Sequence, residues 1–386
     1  MRRAAIVGVG WYGFRPATPE VSFREMVFEA ASRAYEDAGI DPRTMVDGFV
    51  SAQEDYWEGI AIADEFAPEP IGGVLRPTYT VAGDGLQAVA QAAMMISSGV
   101  FDIVAVEAHA KPSDIETIED IIALAYDPIT SRHAAKIHPL YPLALDAQAY
   151  LAGSGADRGH LAVVAAANRR AGLQNPRASY AARVTPDDIL EAPVALEPLT
   201  RMEIAQYVDA AVVVVLAAED VAEKLTDKPV YIDGFGYATE VDTGALEYHV
   251  WGRMPSMRIA ARIAYSMAGI ESPLAETDFA EVEDRTPAHE LIALEELGLA
   301  GEGMAWREVE QGNLSPRGAY PVNPSGGSMA MGVPLEATGL ARLLEAVLQL
   351  RGEAGPHQLP DVERAIVASW RGPPTTTSMV FVLSSG

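Results

Sequence analysis

Residues 85–98, GLQAVAQAAMMISS, form a helical pattern of small and apolar side chains on nearly every side, closed by Gly99. A helix with so little to offer water must be packed all round, as a helix lying between two sheets is. The neighbouring segments supply candidate sheets. Residues 4–10 (AAIVGVG) and 101–108 (FDIVAVEA) are near-continuous apolar runs, the pattern of strands buried on both faces. Residues 46–52 read as a further strand, and 23–38 as a helix ending at Gly39. The order then recurs, with strands at 229–235, 279–282, 366–370 and 379–383 and helices at 256–268, 287–297 and 337–349. This alternation predicts an α/β fold with an internal duplication, the halves being 1–228 and 229–386. Residues of about 119–200 interrupt the first half. Their helical pattern at 157–170, polar loop at 175–178 and N-cap at Thr185 mark an inserted lobe of the kind that often faces a substrate. No flexible linker separates the parts, so one body is expected.

The 386 residues are 49% hydrophobic and 21% charged, as in ordinary globular proteins. The absence of cysteine removes disulfides, thiolate metal sites and cysteine nucleophiles from consideration, and no metal site is expected. A net charge of −26 repels phosphate backbones, so nucleic acid is not an expected partner and the acidic surface reads as a solubility device. One basic cluster, Arg169, Arg170, Arg177 and Arg183, is either a landing place for an anionic ligand or a solvated helix end. The longest apolar stretch, 210–218, is far below the roughly 20 residues a membrane span needs. The N-terminal run reads as a first strand rather than a signal peptide. Gly8-Val9-Gly10 lacks the third glycine and the helix start of a dinucleotide loop.

Residues 320–339 read YPVNPSGGSMAMGVPLEATG. Asn323-Pro324-Ser325-Gly326-Gly327, Gly332-x-Pro334 and Ala337-Thr338-Gly339 together resemble the C-terminal signature of the thiolase superfamily. Residues 155–218 and 288–303 resemble the middle and the later helix of sterol-carrier-protein-x type thiolases. The branch resembled most is the thiolase-like lipid-transfer group, which includes bacterial steroid side-chain aldolases. The resemblance implies a five-layered αβαβα thiolase fold with two duplicated halves, a homodimer core and a cytoplasmic location. It implies an acyl-CoA ligand, with coenzyme A as part of the substrate and no covalently bound cofactor. It also implies a small zinc-ribbon/OB-fold partner protein or a catalytic thiolase subunit as partner.

Carried over position by position, the resemblance finds the catalytic groups gone. The nucleophilic cysteine of the family starts a buried helix, where the helix dipole favours an anion; Ala82 stands at that place. Asp84, nearby, is either an N-cap or a relocated base. Glu283 occupies a histidine position in Val282-Glu283-Asp284-Arg285-Thr286, and is either one half of an ion pair with Arg285 or a general base. His289 reads as a packing or surface histidine. Val333 stands where the family has the histidine of its Gly-His-Pro triplet, and the last catalytic cysteine would fall within 371–374. The aldolase branch uses tyrosines, at positions that align here with Val282 and Val333; Tyr320 and Tyr248 are the nearest substitutes, and Tyr320 is either a packed aromatic or a pocket wall. The loop of Asn323, Ser325, Gly326 and Gly327 keeps the glycines that let backbone approach a carbonyl oxygen.

Two readings follow. One is a cysteine-independent retro-aldolase, a C–C lyase acting on a β-hydroxyacyl-CoA, with Asp84, Glu283 and Tyr320 catalytic and with Ala82, Asp284, Asn323, Ser325, Gly326, Gly327 and Val333 lining the substrate. The alternative is a catalytically inactive thiolase-like subunit of a heteromeric thiolase complex. Thiolysis by the chain alone is excluded because no acyl-cysteine can form.

Overall fold

The computed structural model describes residues 2–53, 65–123, 138, 140–240, 249–372 and 376–386. Tyr248 and the Pro373-Pro374 pair of the expected C-terminal turn lie outside the described residues. The main strands are β1 (Ala4–Arg15), β2 (Gly48–Ala52), β3 (Thr78–Val81), β4 (Ile103–Ala110), β5 (Asp209–Ala218), β6 (Val230–Thr239), β7 (Phe279–Val282), β8 (Arg364–Arg371) and β9 (Thr377–Ser384). The helices that matter here are α1 (Phe23–Ala38), α2 (Gly85–Ser97), α3 (Leu140–Ser154), α4 (Arg158–Ala171), α5 (Pro255–Ala268), α6 (Pro287–Glu296) and α7 (Thr338–Leu350). The expected elements are present, most within a few residues of the expected ends. The short edge strand β3 was not anticipated, because four half-exposed residues carry no run of buried side chains.

The strands run β3-β2-β4-β5-β1-β6-β9-β8-β7. The middle of this series is thin: β1 and β6 share only the pairs Ala5–Tyr231 and Ile6–Val230. On either side the pattern is the same. In the first half β2 runs parallel to β4, and β4, β5 and β1 are successively antiparallel. In the second half β7 runs parallel to β8, and β8, β9 and β6 are successively antiparallel. Where β3 edges the first half, a parallel bridge from Ala280 to Val322 edges the second. Helix α1 covers the outer face of the first half, and α5 and α6 cover that of the second. Helices α2 and α7 lie together between the two halves, giving the five layers αβαβα. The inserted lobe contributes α3 and α4, which pack on α6.

The duplication reaches individual residues. On β1, a Cβ added to Gly8 would lie 2.3 Å from the Ala34 carbonyl oxygen of α1, and one on Gly10 would lie 2.1 Å from that of Ala30. On β6, Gly234 and Gly236 stand in the same relation to Ala264 and Ala260 of α5, at 2.2 Å each. Only a strand without side chains at these points lets helix backbone rest on it. The Gly-x-Gly of β1 thus serves helix packing. Gly236→Val would drive a branched side chain into the Ala260 carbonyl. It is expected to cost about 3 kcal/mol or more in chemical denaturation, whereas Tyr237→Phe at the exposed neighbour should stay within about 0.5 kcal/mol.

Candidate active site

Side chains alternate along a strand, so β7 and its continuation sort into two faces. Phe279 faces the central layer with α2 and α7; Ala280 and Val282 face the outer helices. Glu281 and Glu283 continue the inner face, and Asp284 turns outward. Strand β8 is sorted likewise, with Val367 inward and Trp370 outward. Ser369 is therefore delivered to the same inner face as Glu283.

At this place α2 and α7 begin side by side. Asp84 is the N-cap of α2: its Oδ1 accepts from Leu86 N at 2.8 Å. Its Oδ2 accepts from Gly339 N, in the first turn of α7, at 2.9 Å. One carboxylate thus caps both central helices, and a Cβ on Gly339 would lie 1.9 Å from Asp84 Oδ1. Asp84 is only 3% exposed. Burial and the neighbouring Glu283 charge raise its pKa to about 7, against the pull of the two N–H donors and of the nearby Ser369 hydroxyl. Glu283, wholly buried, accepts from Arg285 Nε on one oxygen and from Ser369 Oγ and Trp370 N, both at 3.0 Å, on the other. Arg285 also donates to the Gly372 carbonyl and lies over the Trp370 ring at 4.4 Å. His289 is a buried packing residue: it stacks on Trp370 at 4.9 Å and is hydrogen-bonded to Thr286 Oγ1.

The structure thus joins Asp84 with Glu283 and separates both from Tyr320. Tyr320 is buried at the opposite end of β7, its hydroxyl 2.8 Å from Thr277 Oγ1. Six residue steps along the strand, roughly 20 Å, separate Thr277 from Glu283. The expectation that Tyr320 works beside the two carboxylates is corrected by that geometry. Burial raises its pKa further, away from any role as a base near neutrality. Ala82 is exposed in the turn before Asp84. Val333 is buried and held by backbone bonds to Gln206 and Val208.

The Asn323–Gly327 loop spends its donors inside the protein. Asn323 Oδ1 accepts from Val282 N at 2.8 Å and its Nδ2 donates to Glu290 Oε2 at 2.7 Å. Ser325 donates through N and Oγ to the two oxygens of Glu281, at 3.0 and 2.7 Å. Arg342, fully buried on α7, donates to both Glu281 and Ser325. Gly326 packs against the Gly172 backbone, and Gly327 against the Asp284 carboxylate. Asp284 in turn accepts from Asn168 Nδ2 at 2.8 Å and from Ser328 N and Met329 N. Burial outweighs Arg342 and raises Glu281 to about 7. Asp284 and Glu290, linked through Asn168, are both raised by burial. Two arginines of the basic cluster are also turned inward, while Arg170 and Arg183 stay exposed. Arg169 donates to the Met202 and Tyr180 carbonyls, and Arg177 forks onto Glu345 at 2.6 and 3.0 Å. Ser369, Asn168, Glu281, Glu290 and Arg342 are the site residues the sequence reading did not single out.

Carboxyls held above their ordinary range make the folded state prefer protons. Their contribution is fully present below about pH 4 and is lost as pH rises through about 7 for Asp84 and Glu281. Glu345, which Arg177 and His357 pull down to about 2 despite its burial, titrates well below this window. The melting temperature is therefore expected to rise as pH falls from 8 to 5. Asp84→Asn sets a donor-only amide NH2 against one of the two backbone N–H groups; it should lower the melting temperature by about 2 °C or more at pH 5 and flatten the rise on acidification, as calorimetry would record.

Comparison with known proteins agrees with this architecture. The family model described as thiolase C-terminal domain-like matches residues 242–385. The acetyl-CoA acetyltransferase of Methanothermobacter thermautotrophicus is 34% identical over 376 residues, covering 94% of each chain. The 17-hydroxy-3-oxo-4-pregnene-20-carboxyl-CoA lyase of Mycobacterium tuberculosis is 28% identical over 386 residues, covering 97% of this chain and 98% of the relative. The solved Ltp2–ChsH2(DUF35) aldolase superposes with a TM-score of 0.82 at 24% identity, over 99% of this chain and 98% of that one, and shows the shared fold. With a sandwich built as in these proteins, the chain belongs to the thiolase superfamily, in its thiolase-like lipid-transfer branch.

Proposed function

We propose that the chain is a cysteine-independent C–C lyase that cleaves a β-hydroxyacyl-CoA by retro-aldol chemistry. The observation that carries this reading is the Asp84 carboxylate, held near neutral pKa at the N-termini of α2 and α7, beside Glu283, in a chain with no cysteine. A general base works best when its pKa lies near the working pH. Asp84 takes the proton of the β-hydroxyl, and the freed O–H electron pair becomes the new carbonyl. The Cα–Cβ bond breaks, and its electron pair passes into the thioester as an enolate. A proton returned to Cα completes a shortened acyl-CoA and a ketone or aldehyde. No electrons enter or leave. Arg285, paired with Glu283, is a cation at the rim of this centre. It takes the place we would otherwise assign to the Asn323–Gly327 loop, whose bonds are internal.

Two relatives support the class of reaction. One is named a carboxyl-CoA lyase and is similar over nearly the whole chain. The other is an aldolase solved with a DUF35 protein, which supports a small partner of that type here. A homodimer and a cytoplasmic location belong to the same proposal. Among the described residues no helix is long and apolar enough to cross a membrane.

The test offers a panel of β-hydroxyacyl-CoAs, with and without a DUF35 partner, and measures released carbonyl product by mass spectrometry. Turnover is expected to rise with pH through about 7 as Asp84 ionises. Asp84→Asn is expected to lower kcat by about 10²–10⁴, and Glu283→Gln by a smaller factor. Undiminished activity in both variants would remove the residue assignment. No turnover together with tight binding to an active thiolase would replace the lyase by the inactive-subunit reading.

A further inference from the structure

The match between the two halves extends from their glycines to their strand edges. Gly8 and Gly10 of β1 meet Ala34 and Ala30 of α1 as Gly234 and Gly236 of β6 meet Ala264 and Ala260 of α5. On that match Val9 corresponds to Phe235, Trp11 to Tyr237, Arg33 to Ile263 and Asp37 to Met267. Beyond the two residue pairs that β1 and β6 share, each strand is paired on one side only. A free strand edge carries backbone groups that need partners. In the first half α1 supplies them. Asp37 accepts from Val9 N at 2.8 Å, and Arg33 donates to the Trp11 carbonyl at 2.9 Å. In the second half this cap is gone. Glu240 N donates to the Thr376 carbonyl, so from Gly234 on the even-numbered residues bond to β9 and the odd-numbered ones turn outward. Phe235 and Tyr237 have no backbone partner on that side among the described residues. The α5 residues placed to cap them, Ile263 and Met267, carry no charge.

The same change makes an apolar stripe. Ile259, Ile263 and Met267 follow one another a turn apart along α5 and are 43%, 45% and 46% exposed. Glu29, Arg33 and Asp37 hold the matching positions on α1, with Arg33 and Glu29 paired at 3.8 Å. Natural sheets blunt their free edges with charge. One half of this chain does so, and the other leaves the edge open beside apolar side chains.

We propose that the β6 edge is an interface between two copies of this chain, in which β6 pairs antiparallel with β6 of the second copy about a two-fold axis at Gly236. A second copy is the occupant because edge and stripe share one centre. The outward-turned Phe235 and Tyr237 flank Gly236. Pairing about that point sets Phe235 opposite Tyr237 of the second copy, and the reverse, so that each pair exchanges both N–H···O=C bonds. Ile263 is the middle of the stripe and lies against Gly236, where an added Cβ would be 2.8 Å from Ile263 Cβ. The same axis therefore sets Ile263 against itself and Ile259 against Met267. A two-fold contact requires such self-complementarity, and an unrelated strand does not. The stripe also brings no charge to a meeting of two chains of net charge −26. The contact stands apart from the lyase reading, and neither measurement below needs turnover.

The first measurement is sedimentation of the full chain at micromolar concentration. The double variant Ile263→Arg, Met267→Asp installs the pair that caps β1. It is expected to weaken self-association about tenfold or more and to halve the assembly mass, with circular dichroism unchanged. The second uses the absence of cysteine. Ile263→Cys is expected to form a covalent dimer on oxidation, since a disulfide needs Cα atoms within about 7 Å, whereas Arg33→Cys at the matching place on α1 stays single. An assembly mass unchanged in the double variant overturns the proposal, as does failure of Ile263→Cys to link. Loss of binding to a DUF35 protein in the double variant, with self-association intact, also overturns it and gives the edge to that partner.

Discussion

Two helices cannot begin side by side inside a protein without something to receive their N–H groups. Each presents unpaired donors and a partial positive charge at its start. In this chain one carboxylate, Asp84, serves α2 and α7 together through Leu86 N and Gly339 N. Much else follows from where that places α7. Its start requires glycine at 339, since the carboxylate fills the space a side chain would need. Its next turn carries Arg342 beneath β7, where Arg342 holds Glu281 and Ser325 and so fixes the glycine-rich loop. A cap and a catalytic base are often treated as competing explanations of the same residue. Here the capping geometry is what buries Asp84 beside Glu283, and the burial is what brings its proton affinity near neutrality.

The cost of this arrangement is a set of buried acids with too few cations. Glu281, Glu283, Asp284 and Glu290 lie on or beside one strand, with Arg285 and Arg342 as their bonded guanidinium partners. An unpaired buried carboxylate is expensive, and two remedies are visible. Asp284 and Glu290 share donors from Asn168, and Asn323 and two backbone amides add more. Where donors fall short, the carboxyl keeps its proton. The acidic surface adds to the same pressure, because a chain of net charge −26 stabilises protonated carboxyls wherever they lie.

The layered fold was legible because its signals are local. The apolar wrap of α2, the buried runs of β1, β4 and β5, and the helix-closing glycines each speak for their own element. The site was legible in part. Asp84 and Glu283 stand out as acids at element ends, where chemistry concentrates. Tyr320 was misplaced because a motif neighbour is not a spatial neighbour: the chain runs parallel to β7 here, which leaves Tyr320 at the Thr277 end while Asn323 reaches Val282. Ser369 was missed because one serine in an apolar strand has no pattern of its own. The alternation of Phe279, Glu281 and Glu283 does carry a readable signal, two acids on one face of a buried strand, which only an inward cluster of donors could satisfy. The inward turn of Arg169 and Arg177 had no such signal, since charge runs look alike whether they meet water or a buried glutamate.

The paired glycines of β1 and β6 bear on how such a protein records its ancestry. The two halves share few residues that would mark them as copies, and a comparison of side chains sees little. What both retain is a missing atom: four points where a helix carbonyl lies so close to a strand that nothing larger than hydrogen fits. A vacancy of this kind cannot drift by small steps, because the first methyl group already collides with backbone. The repeat is therefore written in what each half has been forbidden to acquire.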